Sequence, residues 1–279
     1  MSYKVLLVGS LHHKNENAIL KYKNITLTRS PDLNLDLNNF DVVYCPGTVV
    51  DVIRYPNVKF IFGPHFSVFP EQHSMDRIRG PNSIYVQPSQ WVVDLWKNSN
   101  NCNDIVIKPL PFGVDTDLFS AVDGVKENVF IYFKRRRTEE LEFIKNIFDT
   151  SGISYRIFVY GSYSETDYLS FIRTCKYGIW LDAHESQGFA LQEALSINVP
   201  LFIWNVRLLS QEYHSYYPDV FATTIPYWDP ICGEVIYDTS EFHEKFLDFL
   251  SKLSSYRPRD FVLKELSIDV CEKRFIELI

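Results

Sequence analysis

Two glutamates, Glu185 and Glu193, flank the run Ser-Gln-Gly-Phe-Ala-Leu-Gln. A carboxylate accepts two hydrogen bonds and so suits the vicinal hydroxyls of a sugar or a ribose. Between the glutamates, Gly188 leaves room for a ligand to approach the backbone and tolerates unusual dihedrals. Phe189, Ala190 and Leu191 then open a helix whose first N–H groups lack intrahelical partners and carry the positive end of its dipole, a seat for phosphate. By spacing alone a solvated helix face also accounts for the pair, since the chain carries 35 acidic residues. A second group is the run Lys134-Arg-Arg-Arg137. Arginine suits bidentate phosphate contacts, whereas a charge run before Glu139 and Glu140 is also an ordinary solvated helix start. Cations at a helix N-terminus oppose its dipole, which favours an anion nearby. His184, beside Glu185, either touches a sugar or caps the loop.

These groups must be positioned by a strand–loop–helix–strand unit. Ile179-Trp180-Leu181 reads as a buried strand, 182–185 as a polar loop, and Phe189 to Leu195 carry apolar residues at helical spacing. Pro200 opens a second strand ending near Trp204. The loop of such a βαβ unit lies where open α/β sheets bind ligands. The first half predicts strands at 4–8, 24–28, 41–45, 59–62, 84–87 and 105–110, broken by Pro, Asn and Gly, with helices after Leu11 and after an N-cap at Ser89. Residues 120–126 read as a linker. Beyond it the sequence predicts strands at 128–133 and 155–160, a helix capped by Thr138, a helix over 165–174, a loop over 224–234, and closing helices over 240–250 and 259–279. No Gly-x-Gly-x-x-Gly occurs after the first strand, so an ordinary dinucleotide fingerprint is missing.

Composition narrows the class. At 279 residues, with 46% apolar and 23% charged, the chain has core enough for one large domain or two. A net charge of -7 argues against a nucleic-acid partner. No run is long enough to span a membrane, and the start enters a strand without a signal-peptide plan, which leaves at most peripheral membrane contact. Five scattered cysteines fit a reducing compartment and argue against a disulfide framework or zinc site, so a cytoplasmic location is expected. Asn24-Ile-Thr26, a formal glycosylation acceptor, is then expected to be a strand edge.

The glutamate pair around Gly-Phe-x-Leu-x-Glu-Ala-Leu, followed by Val-Pro and a strand, resembles the donor-site motif of retaining GT-B glycosyltransferases. Pro111-Phe-Gly-Val-Asp-Thr-Asp-Leu-Phe119 and Val86-Gln-Pro-Ser-Gln-Trp91 are similar to other turns of that family. The resemblance implies two Rossmann-like α/β domains facing a cleft, 1–119 on the acceptor side and 120–279 holding the nucleotide sugar, with the last helix packing back on the first domain. It implies that Glu193 holds the ribose, Glu185 the sugar, and the amides near Gly188, Phe189, Ala190 and Leu191 the diphosphate, with His184 alongside. Lys134 and Arg135, then Arg137, would meet the diphosphate, although the family separates its Arg and Lys where this chain packs four bases together. His65, at the end of the 59–62 strand on the sheet edge expected to face the cleft, would sit near the transferred sugar. His12 and His13 follow the first strand, where the family's Gly-rich loop is absent. In such enzymes the acceptor is thought to attack on the face the diphosphate leaves, and the leaving oxygen takes its proton. The expected partners are a nucleotide-sugar donor and a sugar or glycan acceptor. No cofactor or metal is expected, because turn chemistry accounts for Asp115-x-Asp117, a pair that in the other main glycosyltransferase fold holds a cation. Two rivals share the donor site: a GT-B nucleotide-sugar epimerase or hydrolase, and a shortened module that binds nucleotide without turnover.

Overall fold

The computed structural model describes residues 2–72, 74–99, 102, 104–122 and 124–279. Chain contacts gather it into two compact units, Met1–Gly113 with Leu266–Ile279, and Val114–Glu265. The first unit holds a parallel sheet in the order β2-β1-β3-β4-β5-β6, built from β1 (Tyr3–Val8), β2 (Ile25–Ser30), β3 (Val42–Cys45), β4 (Phe60–Phe62), β5 (Ser83–Gln87) and β6 (Ile107–Pro109). β3 and β4 are buried end to end, and β1 from Val5 to Val8, as parallel strands covered on both faces must be. β2 lies at the sheet edge, where Asn24-Ile-Thr26 was expected. β4, in contrast, is an inner strand, not an edge. Helices α1 (His13–Ile19) and α2 (Gln90–Lys97) follow β1 and β5. Ser89 occupies the N-cap of α2, but its hydroxyl makes no capping bond.

The second unit carries β7 (Asn128–Lys134), β8 (Arg156–Val159), β9 (Cys175–Asp182), β10 (Leu201–Trp204) and β11 (Gly233–Ile236), all parallel, in the order β11-β10-β9-β7-β8. Helices α3 (Thr138–Thr150), α4 (Glu165–Ile172), α5 (Phe189–Ser196), α6 (Phe242–Ser251) and α7 (Pro258–Glu265) complete it. One face packs Leu141, Ile144 and Phe148 of α3 and Phe242, Phe246 and Phe249 of α6 against Ile131, Ile179 and Phe202. On β7 and β9 the register sets Tyr132 opposite Trp180 and Lys134 opposite Asp182. Alternation along a strand puts Tyr132 and Lys134 on one face. The Tyr132 and Trp180 rings stack at 4.0 Å, a floor for the polar pair beyond them.

Three expectations shift. β11 begins inside the stretch expected to be loop; its Gly start and short length hide it. The closing 259–279 segment is two helices, α7 and α8 (Ile268–Ile276), parted by an extended backbone at Ser267, the N-cap position of α8. α8 belongs to the first unit, where Asp269 pairs with Lys23 at 2.9 Å and Phe275 meets Tyr44 edge-on. Gly113 matters there: a Cβ on it would lie 2.4 Å from the Ile268 backbone. Arg137, not Thr138, is the N-cap of α3, and Glu140 reaches back to its N–H at 3.0 Å. All five cysteines are buried and none forms a disulfide. Among the described residues no helix is long and apolar enough to cross a membrane.

Arg136, between two candidate phosphate ligands, is a fold staple. Its side chain is buried, its Nη1 donates to the Asp182 and Trp204 carbonyls at 3.0 and 2.9 Å, and its Nη2 donates to Glu140 at 2.5 Å. It ties the ends of β9 and β10 to α3. Arg136→Met should lower stability by about 3 kcal/mol or more, because it strands a carboxylate and two carbonyls. Urea unfolding checks this; an unchanged midpoint would contradict the staple.

Candidate functional site

Strand order assigns the site. In the second unit the chain runs outward in opposite directions from β7, so the crevice between the carboxyl ends of β7 and β9 is the topological switch point. Lys134 ends β7 and Asp182 ends β9. Three segments converge there: the 182–188 loop, the 205–224 excursion after β10, and the first turn of α5. Their backbones are laced together. Ala183 N–H donates to the Lys134 carbonyl at 3.2 Å, and Glu185 N–H to the Thr223 carbonyl at 3.0 Å. The Thr224 hydroxyl donates to the Asp182 and Ala183 carbonyls, while Asn205 Oδ1 accepts the N–H groups of Val206 and Thr224.

Lys134 makes an ion pair with Glu185, lies 3.8 Å from Asp182 Oδ2 and sits 4.7 Å from the centre of the Tyr160 ring. Burial alone would depress its ammonium, but Asp182 and Glu185 outweigh burial and hold it above the ordinary lysine range. Arg135 stands in a left-handed conformation at φ 50 with more than half its side chain exposed. Its Nη1 donates to Glu212 Oε1 at 2.8 Å, and the other oxygen of Glu212 lies 2.7 Å from His184 Nε2. Glu212 is buried; its contacts with His184 and Arg135 outweigh burial and hold its carboxyl below the usual range. His184 thus faces the 205–224 excursion, with its ring edge-on to Tyr217. Arg137 is exposed at the start of α3.

Gly188 is the N-cap of α5 at φ 79, ψ 48, a left-handed position that a residue with a Cβ enters only under strain. Its need is conformational, since a Cβ would meet Glu185 and Pro226 only at ordinary contact distances. The first bond within α5 runs from Gln192 N–H to the Gly188 carbonyl at 3.0 Å, so the N–H groups of Phe189, Ala190 and Leu191 precede the helix ladder. Glu193 is buried at 5% exposure, which removes the solvated-face account of the glutamate pair. Beside it, buried Tyr168 donates its hydroxyl proton to the Ala190 carbonyl at 2.8 Å.

The first unit has its own switch point, between β1 and β3. His65 follows the cis Gly63–Pro64 bond after β4. Its Nε2 lies 3.3 Å from the His12 backbone N–H and 3.1 Å from Asn15 Nδ2. A backbone N–H only donates, so Nε2 accepts and Nδ1 carries the proton. Burial and the neighbouring His12 lower its pKa, which keeps the ring neutral. His12 is the N-cap of α1, and its Nδ1 accepts the Lys14 N–H. Asp115 Oδ1 accepts the N–H groups of Asp117 and Leu118, the turn chemistry expected of that segment.

The structure thus gathers Lys134, Glu185, Arg135, His184, Gly188, Phe189, Ala190, Leu191 and Glu193 in the second unit, with Arg137 at its margin, and sets His65 in the first. Sequence reasoning missed Asp182 as a site group, although a charge closing an apolar strand was a signal. It missed Glu212 for want of any local signal, since Glu212 lies 77 residues from Arg135.

No protein-family description matches the sequence, and no curated protein does. Solved structures do match. The glycosyltransferase AviGT4 of avilamycin A biosynthesis superposes with a TM-score of 0.56 at 13% identity, covering 99% of this chain and 96% of that one. Sucrose-phosphate synthase from Thermosynechococcus elongatus gives 0.57 at 9% identity over 99% and 98%. The N-terminal domain of Candida albicans trehalose-6-phosphate phosphatase gives 0.59 at 10% over 100% and 97%. With its two parallel-sheet Rossmann-like units, the chain has the GT-B fold of these structures.

Proposed function

We propose that the chain is a retaining glycosyltransferase that moves a hexose-type sugar from a nucleotide-sugar donor to an acceptor hydroxyl, without a divalent cation. The observation that carries this reading is the convergence at one switch point of a buried glutamate inside α5, a helix start opened by a left-handed glycine, and a half-buried lysine–glutamate pair. Glu193 holds the ribose, Glu185 reads the sugar, and the amides of Phe189, Ala190 and Leu191 seat the diphosphate. Lys134 and Arg135 stabilise charge on the departing diphosphate, with Arg137 behind them; fixed donors do this without reorganisation. His65, neutral and donating through Nδ1, serves the acceptor side. Glycosyl transfer is also the activity named for AviGT4.

A second reading keeps the donor site and drops the acceptor: a GT-B nucleotide-sugar epimerase or hydrolase, or a module that binds without turnover. Two observations favour it. The same fold serves a domain of a protein named for phosphatase activity, and both Lys134 and Arg135 already face carboxylates here.

A thermal-shift screen of UDP, GDP, ADP and their sugar conjugates separates these from the alternative of no donor site. One nucleotide family should raise the midpoint, by about 2.7 kcal/mol of linkage at a hundredfold excess over Kd. The shift should persist in EDTA and vanish in Glu193→Ala; a flat screen would sink the reading. Glu185→Ala should abolish sugar transfer while the nucleoside diphosphate still binds. Free sugar or an isomerised donor, formed by wild type without acceptor, would instead favour the hydrolase or epimerase.

A further inference from the structure

The β7–β9 ladder ends by setting Lys134 against Asp182, and Asp182 is fully buried. Asp182 Oδ1 accepts the Ala183 N–H at 2.7 Å. Oδ2 finds no donor among the described residues, and the Lys134 ammonium, bound to Glu185, stops 3.8 Å short of it. A buried carboxylate oxygen without a donor is costly. Two carboxylates around one ammonium would also leave net negative charge where a diphosphate must approach. Both difficulties end if Asp182 keeps its proton. Oδ2 then becomes a donor, and Glu185, whose carboxylate is paired with the same Lys134 ammonium, is the acceptor that faces it. The Lys134–Glu185 pair is left neutral as a whole.

The surroundings favour that state. Tyr132 and Lys134 face Asp182 from β7, and Glu185 and His184 adjoin it in the loop. Arg136 and Thr224 approach from the turn before α3 and from the β10 excursion, but both donate to its backbone carbonyl and not to its carboxyl group. Burial, then Glu185, push the Asp182 carboxyl well above the usual carboxylate range against the pull of Lys134.

We propose that Asp182 is a positioning residue of the donor site: its protonated carboxyl group donates to Glu185 and holds that carboxylate, together with Lys134, in the geometry that reads the donor sugar. This rests on the donor-site reading above. It follows that Asn, which keeps a donor without the charge, can replace Asp182, whereas Ala cannot.

The test measures dissociation constants of wild type, Asp182→Ala and Asp182→Asn by calorimetry, for UDP, GDP and ADP and for UDP-glucose, GDP-mannose and ADP-glucose. The quantity read is the preference for a nucleotide sugar over its free diphosphate. Loss of a hydrogen bond to a charged group predicts that Asp182→Ala lowers this preference about tenfold. Asp182→Asn should restore it. An unchanged preference in Asp182→Ala, or an Asp182→Asn as deficient as Asp182→Ala, would overturn the proposal while leaving the donor site standing. Should Asp182→Ala fail to fold, Asp182→Asn decides alone: wild-type preference supports a protonated Asp182, and a lowered one overturns it. If wild type binds none of the six probes, the donor-site reading fails first and this proposal with it.

Discussion

The second unit depends on how its sheet ends. β7 and β9 run side by side through a dry, aromatic interior, and their last register pair is a lysine facing an aspartate. A lysine and two carboxyl groups withdrawn from water are stable only as a matched set, because each loses hydration that its neighbours must replace. That requirement fixes the 182–188 loop to the end of β7 through the Lys134–Glu185 pair. It also explains the dense lacing around it: Thr224 and Arg136 both spend donors on the Asp182 carbonyl, so the strand end cannot shift without stranding several polar groups.

From that anchor the remainder of the site follows in order. The loop delivers the chain to Gly188, whose left-handed backbone turns it into α5, and α5 carries Glu193 inward on the face that Tyr168 covers. On the other side, Glu212 binds Arg135 and His184 together and so docks the long excursion after β10 onto the same strand ends. Both basic residues best placed for a diphosphate are therefore held by carboxylates before any ligand arrives. On the proposed reading, a diphosphate would compete with Glu212 for Arg135 and meet Lys134 within its pair with Glu185.

Much of this was legible in the sequence. Continuous apolar runs such as Lys4-Val-Leu-Leu-Val8 and Asn128-Val-Phe-Ile-Tyr-Phe133 announced buried parallel strands, and the residues around Gly188 announced the β9–α5–β10 unit that frames the candidate site. What stayed hidden was long-range. Arg136 reads as a twin of its neighbours, yet it alone turns inward, because position along β7 and the turn at Arg135 decide which base meets the carbonyls of β9 and β10. β11 was lost because four residues opening on glycine carry too little pattern, and its identity as a strand comes from pairing with β10. Glu193 was ambiguous by spacing and became informative only through burial.

A fold shared at 9–13% identity with a sucrose-phosphate synthase, a glycosyltransferase and a phosphatase domain leaves function to the site. The central claim is that a nucleoside diphosphate lies at the start of α5. A crystal structure grown with the tightest-binding nucleoside diphosphate addresses it most directly. The account predicts phosphate density on the N–H groups of Phe189 and Ala190, with the ribose on Glu193. Nucleotide density elsewhere, or none at saturating concentration, would contradict it.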